Sequence, residues 1–155
     1  MDADVYFQRF AVSDSFSMEQ TLKEQAEEYL QEIGVKFQTI DDRRFKVGYV
    51  GLNLKLIEVL VRFSEDDAND FIMTSYSVGC SFSGDLYHEG LELCNELNNE
   101  FRWVKFYLDE EQNVVAEYDA YVDDGSCGPA VCNAITKIVA VLDRVYPRFM
   151  TLRWG

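Results

Sequence analysis

The stretch Ile57-Glu58-Val59-Leu60-Val61-Arg62-Phe63 decides the fold class, because its strongest apolar residues recur at every second position. A period of two is typical of a β-strand that buries one face. A weaker alternation precedes it at Phe45, Val47 and Tyr49. Turn residues separate these stretches at Asp41-Asp42, at Gly51-Leu52-Asn53 and across 65–70. Residues 35–78 therefore predict an antiparallel meander of three or four strands that ends with Phe71 to Val78.

Predicted helices precede and follow this meander. Ser17-Met18-Glu19-Gln20 matches a capping box, which predicts a first helix from about Met18 to Ile33, closed by Gly34. A second helix is predicted from a cap at Asp85 to about Asn98, with Gly90 in its interior. Glycine there costs about 1 kcal/mol relative to alanine, so we expect another backbone to pack against it. A last helix is predicted to begin near Pro129 and to end at Pro147.

A second hairpin lies between the last two helices. Residues 102–108 and 114–122 are predicted strands, and the acidic turn 109–113 joins them. The element order is α-β-β-β(-β)-α-β-β-α, which predicts an α+β fold with helices packed on one antiparallel sheet. We expect residues 1–155 to form a single domain, with a core at about 18–147, an N-terminal extension at 1–16 and a C-terminal tail at 148–155.

The charge balance narrows the choice of partners. The chain has 155 residues, with 14 Lys and Arg against 28 Asp and Glu, a formal net charge of -14. Binding to nucleic acid or to anionic membranes requires basic surfaces, so neither is expected as a partner. The acidic start Met1-Asp2-Ala3-Asp4 is unlike a signal peptide, and the four cysteines have irregular spacing. We therefore expect a cytoplasmic protein with reduced thiols.

No motif for chemistry stands out. A single histidine, His88, and scattered cysteines do not form a zinc spacing, and no nucleophile motif accompanies them. The acidic stretch 65–70 lacks the register, central glycine and final glutamate of a calcium loop. No glycine pattern matches a phosphate-binding loop. We expect no catalytic residue, no metal and no cofactor, and hence no enzyme.

Two segments favour an interaction role instead. The predicted strand at Phe101 to Leu108 is apolar on both faces, with Trp103 and Tyr107 on one side. Either a helix of the same chain or a partner must cover the second face. With Gly90, these residues form the predicted interface: Gly90, Phe101, Trp103 and Tyr107. The tail 144–155 has three arginines and no acidic residue. It either docks on the acidic body of the chain or engages an acidic partner.

Three short motifs resemble the bacterial YbjN-type family. They are the helix end Asn95-Glu96-Leu97-Asn98, the strand Lys105-Phe106-Tyr107-Leu108-Asp109, and the closing strand Val114 to Asp119, over a match of roughly Met18 to Pro147. The resemblance implies a fold like that of type III secretion chaperones, commonly dimeric, in a family described as sensory transduction regulators. It implies no catalytic residues. Asn95 and Asn98 are interpreted as helix-end residues that cap backbone groups.

The sequence thus predicts a non-enzymatic, cytoplasmic, protein-binding module, chaperone-like or signalling in role, that acts through an apolar sheet or helix surface as a homodimer. Its partner is an unidentified protein or peptide, and its acidic surface favours basic segments. The alternative is a small-molecule sensor whose internal pocket is lined by Tyr76, Trp103 and Tyr118.

Overall fold

The computed structural model describes residues 20–65, 68–123 and 125–155. Three helices and six strands follow one another in the order α1, β1 to β4, α2, β5, β6 and α3, with one 3₁₀ turn before α2. Their bounds are α1 Leu22–Glu32, β1 Gln38–Thr39, β2 Arg44–Tyr49, β3 Ile57–Phe63, β4 Asp70–Ser75, the 3₁₀ turn Gly84–Leu86, α2 Tyr87–Glu100, β5 Lys105–Leu108, β6 Val114–Tyr121 and α3 Cys127–Trp154.

The six strands form one sheet in the order β1-β2-β3-β4-β6-β5, and every neighbouring pair is antiparallel. The predicted α+β fold with an antiparallel sheet is confirmed. The meander contains four strands, and its last strand ends at Ser75 rather than at Val78. The chain leaves the sheet there in a turn closed by the bond from the Gly79 N–H to the Tyr76 carbonyl.

The strand register separates an apolar face from a polar one. Phe45, Val61, Met73 and Tyr118 lie side by side across four strands and are buried. Helices α1 and α3 pack on this face. The neighbouring row on the opposite face consists of Lys46, Leu60, Thr74, Glu117 and Lys105. Within the described ranges no helix packs on this second face, which we call the open face.

Helix α1 begins one turn later than the capping box at Ser17 predicts. Gln20 is not helical, and Ser17 to Glu19 lie outside the described residues. Thr21 caps the helix: its hydroxyl accepts the Glu24 N–H at 3.1 Å, and the Glu24 carboxylate accepts the Thr21 N–H at 3.2 Å. The same motif therefore occurs one turn further along, and the structure uses that second copy.

Helix α2 does not use the predicted cap at Asp85. Asp85 lies inside the 3₁₀ turn, and neither Ser83 nor Leu86 caps the helical ends with a side chain. The expectation of a close neighbour at Gly90 is met by a side chain rather than a backbone. A Cβ atom on Gly90 would lie 2.6 Å from the Phe82 Cβ, so only glycine fits against this phenylalanine.

Helix α3 does not end at Pro147, contrary to the prediction, but continues to Trp154. Proline has no N–H to offer the carbonyl of Asp143, four residues earlier. The Asn53 side-chain amide donates to that carbonyl at 3.1 Å, so the gap in the helix is filled from the β2–β3 loop. The tail is therefore helical, Phe149 is buried, and Arg148 pairs with Glu96 and Glu100 of α2. This contact agrees with the first of the two alternatives for the tail, in which the tail docks on the acidic body of its own chain.

Candidate binding surfaces

The predicted two-faced strand is shorter than expected, because β5 starts at Lys105. Trp103 has a positive φ of 76°, which interrupts the extended backbone, and the Val104 N–H bonds to the Arg102 carbonyl instead of to a strand. The Trp103 ring stacks on Tyr118 at 6.5 Å between centroids, and Tyr118 stacks on Phe71. Trp103 therefore lies on the side of the sheet that the helices cover.

Tyr107 lies on the opposite side. Its hydroxyl donates to the Glu117 carboxylate at 2.9 Å on the open face. Because neighbouring residues of β6 point to opposite faces, Glu117 and Tyr118 are separated by the sheet. The prediction that Trp103 and Tyr107 share a face is wrong, and the positive φ of Trp103 is the physical reason.

The other two predicted interface residues are engaged by their own chain. Phe101 follows α2, is half-buried and lies beneath the Arg144 guanidinium at 5.5 Å from its ring centroid. Gly90 is buried against Phe82. Of the four predicted residues, Trp103 alone is mostly exposed, at 65%.

The Asn98 side chain covers the outer edge of β5 at Phe106. Its side-chain oxygen accepts the Phe106 N–H at 2.7 Å, and its amide nitrogen donates to the Phe106 carbonyl at 3.0 Å. The side chain thus supplies both of the bonds that a further strand would have made at Phe106. The interpretation of Asn98 as a helix cap is wrong, since its partner is the strand and not the helix end. We call this contact the Asn98 lock.

The remaining family-motif positions are structural or exposed. Leu97 and Phe106 are buried in the core, whereas Asn95 is exposed. The Asp109 carboxylate accepts the N–H groups of Glu111 and Asn113, both at 2.9 Å, and so closes the β5–β6 turn.

Lys105, Tyr107, Glu117 and Asp119 form a polar cluster on the open face. The Lys105 ammonium lies 2.6 Å from the Glu117 carboxylate and 3.7 Å from that of Asp119. This bond to Glu117 raises the pKa of Lys105. Burial, followed by the bond to Glu117, raises the pKa of Tyr107 to about 12. At neutral pH the lysine is therefore charged and the tyrosine neutral, so neither is poised as a base.

The two carboxylates of this cluster differ in acidity. Burial raises the pKa of Glu117, but the hydrogen bonds from Lys105 and Tyr107 outweigh it and hold the pKa below its usual value. Burial and the hydrogen bond shared with Glu117 raise the pKa of Asp119. The cluster is a matched set of donors and acceptors, which fits a structural role for these motif residues.

The predicted aromatic pocket is not formed. Tyr76 follows β4, is 55% exposed and lies near Tyr107 on the open face. Tyr118 is buried on the other face and contacts Trp103 there. The sheet lies between Tyr76 and the other two rings, so the three residues do not enclose a common cavity.

A more exposed apolar surface lies in the β2–β3 loop, which the sequence indicated only as a turn. Val50 is 83% exposed, Leu52 86% and Leu56 58%. We call Val50, Leu52, Leu56 and the neighbouring Tyr76 the apolar tip. The signal was present in the sequence, since three large apolar residues in a turn between two strands are unusual.

The loop that carries the apolar tip is held in one shape by α3. One oxygen of the Asp143 carboxylate accepts the N–H groups of Asn53 at 2.8 Å and Leu54 at 2.9 Å. These bonds, first that of Leu54 and then that of Asn53, lower the pKa of Asp143. A Cβ atom on Gly51 would lie 2.5 Å from the Leu54 carbonyl oxygen, so glycine is needed at this close approach. We call this contact the Asp143 anchor.

A groove of about 660 Å³ opens beside the apolar tip. The residues that line it include Lys46, Leu56, Leu60, Thr74 and Tyr76, together with Tyr146 of α3. The Lys46 ammonium pairs with the Glu58 carboxylate at 3.3 Å. The groove therefore combines apolar surface with a few charged groups.

Burial makes two of the four cysteine thiols poor nucleophiles. None of the four cysteines forms a disulfide bond with another, and burial raises the pKa of Cys80 and of Cys94 to about 11. His88 is exposed. In the described part of the chain, no group of three or more potential ligands is arranged to hold a metal ion. No helix in the described ranges has the length and apolar character needed to cross a membrane.

Comparison with known proteins identifies the family of this chain and a similar fold. Residues 23–150 match the family model YbjN, described as "Putative bacterial sensory transduction regulator". The chain belongs to the YbjN family. A crystal structure of YbjN from E. coli, described as "a putative transcription regulator", is similar in fold, with a TM-score of 0.54 and 11% sequence identity. The match covers 79% of this chain and 89% of that one. No curated protein matches the chain.

Proposed function

We propose that this YbjN-family chain is a non-enzymatic, cytoplasmic regulator that acts by protein binding, and that it forms a homodimer through the apolar tip. The observation that carries the proposal is the exposure of Val50, Leu52, Leu56 and Tyr76 on one loop and its neighbouring strand end. Clustered exposed apolar side chains are typical of interaction sites rather than of an inert surface. The family description as a sensory transduction regulator agrees with a binding role.

The rigidity of the loop supports this proposal. The Asp143 anchor and the close approach at Gly51 fix the loop before any partner arrives. A preformed surface loses less conformational entropy on binding than a flexible one. The second copy is the partner we favour, because a loop that projects from one end of the sheet can pack against its own symmetry mate in a self-complementary interface.

Solution mass by light scattering tests the dimer. Leu52→Arg places a charge at the centre of the apolar tip and is expected to convert the dimer into a folded monomer. Tyr121→Arg is the matched control, because Tyr121 is also 86% exposed but lies on β6 away from the loop. Trp103→Arg tests in parallel the hairpin surface that the sequence predicts.

The outcomes separate the two surfaces. A dimer that Leu52→Arg alone dissociates supports the apolar tip. Dissociation by Trp103→Arg alone would indicate that the dimer interface is on the hairpin, and the proposal of an interface at the apolar tip would be wrong. A parent protein that is monomeric at all concentrations would refute the homodimer, and circular dichroism of each variant confirms that it is folded.

A small-molecule sensor is the second candidate, and the groove beside the apolar tip favours it. Its volume of about 660 Å³ is within the range of about 300–1,000 Å³ found for small-molecule sites. A metabolite that binds there raises the melting temperature by mass action. Leu60→Trp, which places a larger side chain in the groove, is expected to abolish that shift. A shift that persists in this variant would place the ligand elsewhere.

A further inference from the structure

A second groove, of about 480 Å³, lies between α2 and the C-terminal part of α3. Leu93, Pro147 and Leu152 provide apolar surface in it. Glu89, Glu92 and Glu96 line the α2 side. This groove is separate from the apolar tip and from the groove beside it.

The α2 side of this groove is strongly acidic. Helix α2 has four glutamates, Glu89, Glu92, Glu96 and Glu100, and no lysine or arginine. Glu89, Glu92 and Glu96 follow one another at three- and four-residue steps, so each is about one turn, or roughly 5 Å, from the next. The α3 wall carries no carboxylate, and its charged side chain in the groove is that of Arg148.

Arg148 shows which chemistry the groove accepts. Its guanidinium lies 2.6 Å from the Glu100 carboxylate and 3.5 Å from that of Glu96. It comes from the opposite wall and occupies one end of the acidic row. Among the described residues, Glu89 and Glu92 have no ion-pair partner, so the other end of the row is free to receive further cations.

We propose that this groove binds a basic amphipathic helix from a partner protein. The apolar side of that helix packs on Leu93 and Leu152, and its lysine or arginine residues, spaced by one turn, pair with Glu89 and Glu92. Charge complementarity favours this occupant over an acidic or neutral segment, because Arg148 balances only part of the four carboxylates. An amphipathic helix in a groove is a common mode of recognition. The proposal does not depend on the dimer.

Fluorescence anisotropy with a labelled synthetic helix tests this proposal. The probe has lysines at three- and four-residue steps on one face and leucines on the other. The double variant Glu89→Gln/Glu92→Gln is expected to weaken binding by about fivefold, the size expected for two partly exposed ion pairs. The matched control Glu32→Gln/Glu110→Gln removes the same charge from exposed sites outside the groove and is expected to leave the affinity within about twofold.

A scrambled peptide of the same composition distinguishes recognition from simple charge attraction. The amphipathic probe is expected to bind more tightly than the scrambled one, and both to weaken as salt rises. Equal loss of affinity in the two double variants, or equal affinity for the two peptides, would overturn the proposal. Light scattering of Glu89→Gln/Glu92→Gln is expected to show an unchanged oligomeric state, which separates this groove from the proposed dimer.

Discussion

The Asn98 lock and the Asp143 anchor perform the same task at two ends of the molecule, and they do so with different side chains. Asn98 reaches from α2 to the backbone of β5, and Asp143 reaches from α3 to the β2–β3 loop. At β5 the backbone presents one donor and one acceptor on Phe106. At the loop it presents two donors, the N–H groups of Asn53 and Leu54.

The difference shows that the donors and acceptors of the backbone at each site determine which side chain can satisfy them. An amide has both a donor and an acceptor, so it satisfies Phe106 completely. An ionised carboxylate only accepts, so it suits two N–H groups. Exchanging the two chemistries should therefore harm one site much more than the other, because an amide oxygen can still accept two bonds, whereas a carboxylate cannot donate any.

The largest effect is expected from Asn98→Asp. The introduced carboxylate would face the Phe106 carbonyl oxygen with no proton between them, which we expect to cost about 2 kcal/mol in the free energy of unfolding. Urea denaturation at neutral pH measures this cost. Asn98→Ala is the control, and it is expected to cost about 1 kcal/mol, because it removes the two bonds without adding repulsion.

Acid should partly rescue Asn98→Asp. Protonation lets the introduced carboxyl donate to the Phe106 carbonyl, so its pKa is raised in the folded state and the loss of stability is expected to shrink as the pH falls. If Asn98→Asp proved no worse than Asn98→Ala at neutral pH, the donor-and-acceptor account of this site would be wrong.

A smaller effect is expected at the loop, from the bond between Asn53 and the Asp143 carbonyl. Asn53→Ala should cost about 1 kcal/mol, because it leaves that carbonyl without a donor. In a Pro147→Ala background, residue 147 regains an N–H and can bond to the carbonyl itself, so the same change should cost less. The double-mutant cycle is expected to give a coupling free energy of about 0.5 kcal/mol or more. Strict additivity would argue against this exchange of donors.

The smallest effect is expected from Asp143→Asn at neutral pH, because the amide oxygen can keep both bonds. The distinction appears in acid. The folded-state pKa of Asp143 is lowered, so its contribution to stability is present above about pH 4 and is lost as the pH falls through the lower folded value. Urea midpoints measured across this range should therefore fall more steeply for the parent than for Asp143→Asn. Parallel profiles would contradict the anchor.

Local pattern was sufficient for most of the fold. The alternation in Phe45 to Phe63 and the helical stripes predicted the sheet, the helices and their order, because each of these signals is contained in a few neighbouring residues. Pro147 and Trp103 were misjudged for a different reason. The donor that completes the helix at Pro147 is Asn53, which is distant in sequence, and the stacking of Trp103 on Tyr118 depends on a backbone turn that its residue type does not favour.

The candidate surfaces were predictable only in part. The acidic charge of the chain and its basic tail were evident from the sequence. Arg148 of that tail contacts Glu96 and Glu100. The apolar tip was missed, because glycine and asparagine at 51 and 53 indicate a turn whatever the exposure of the leucine between them. The exposure of a side chain depends on the folded chain, and the spacing of apolar residues in the sequence does not determine it.

The Asn98 lock also limits how this protein can assemble. The sheet has two outer strands, and the side of β5 is already closed by a side chain that makes both backbone bonds at Phe106. The other outer strand of the described sheet, β1, is two residues long and offers little backbone for a second molecule to pair with. A fibre needs pairing at both edges of every sheet, and the two bonds at Phe106 oppose such pairing on the β5 side. The lock therefore disfavours the growth of edge-to-edge contacts beyond a pair of molecules.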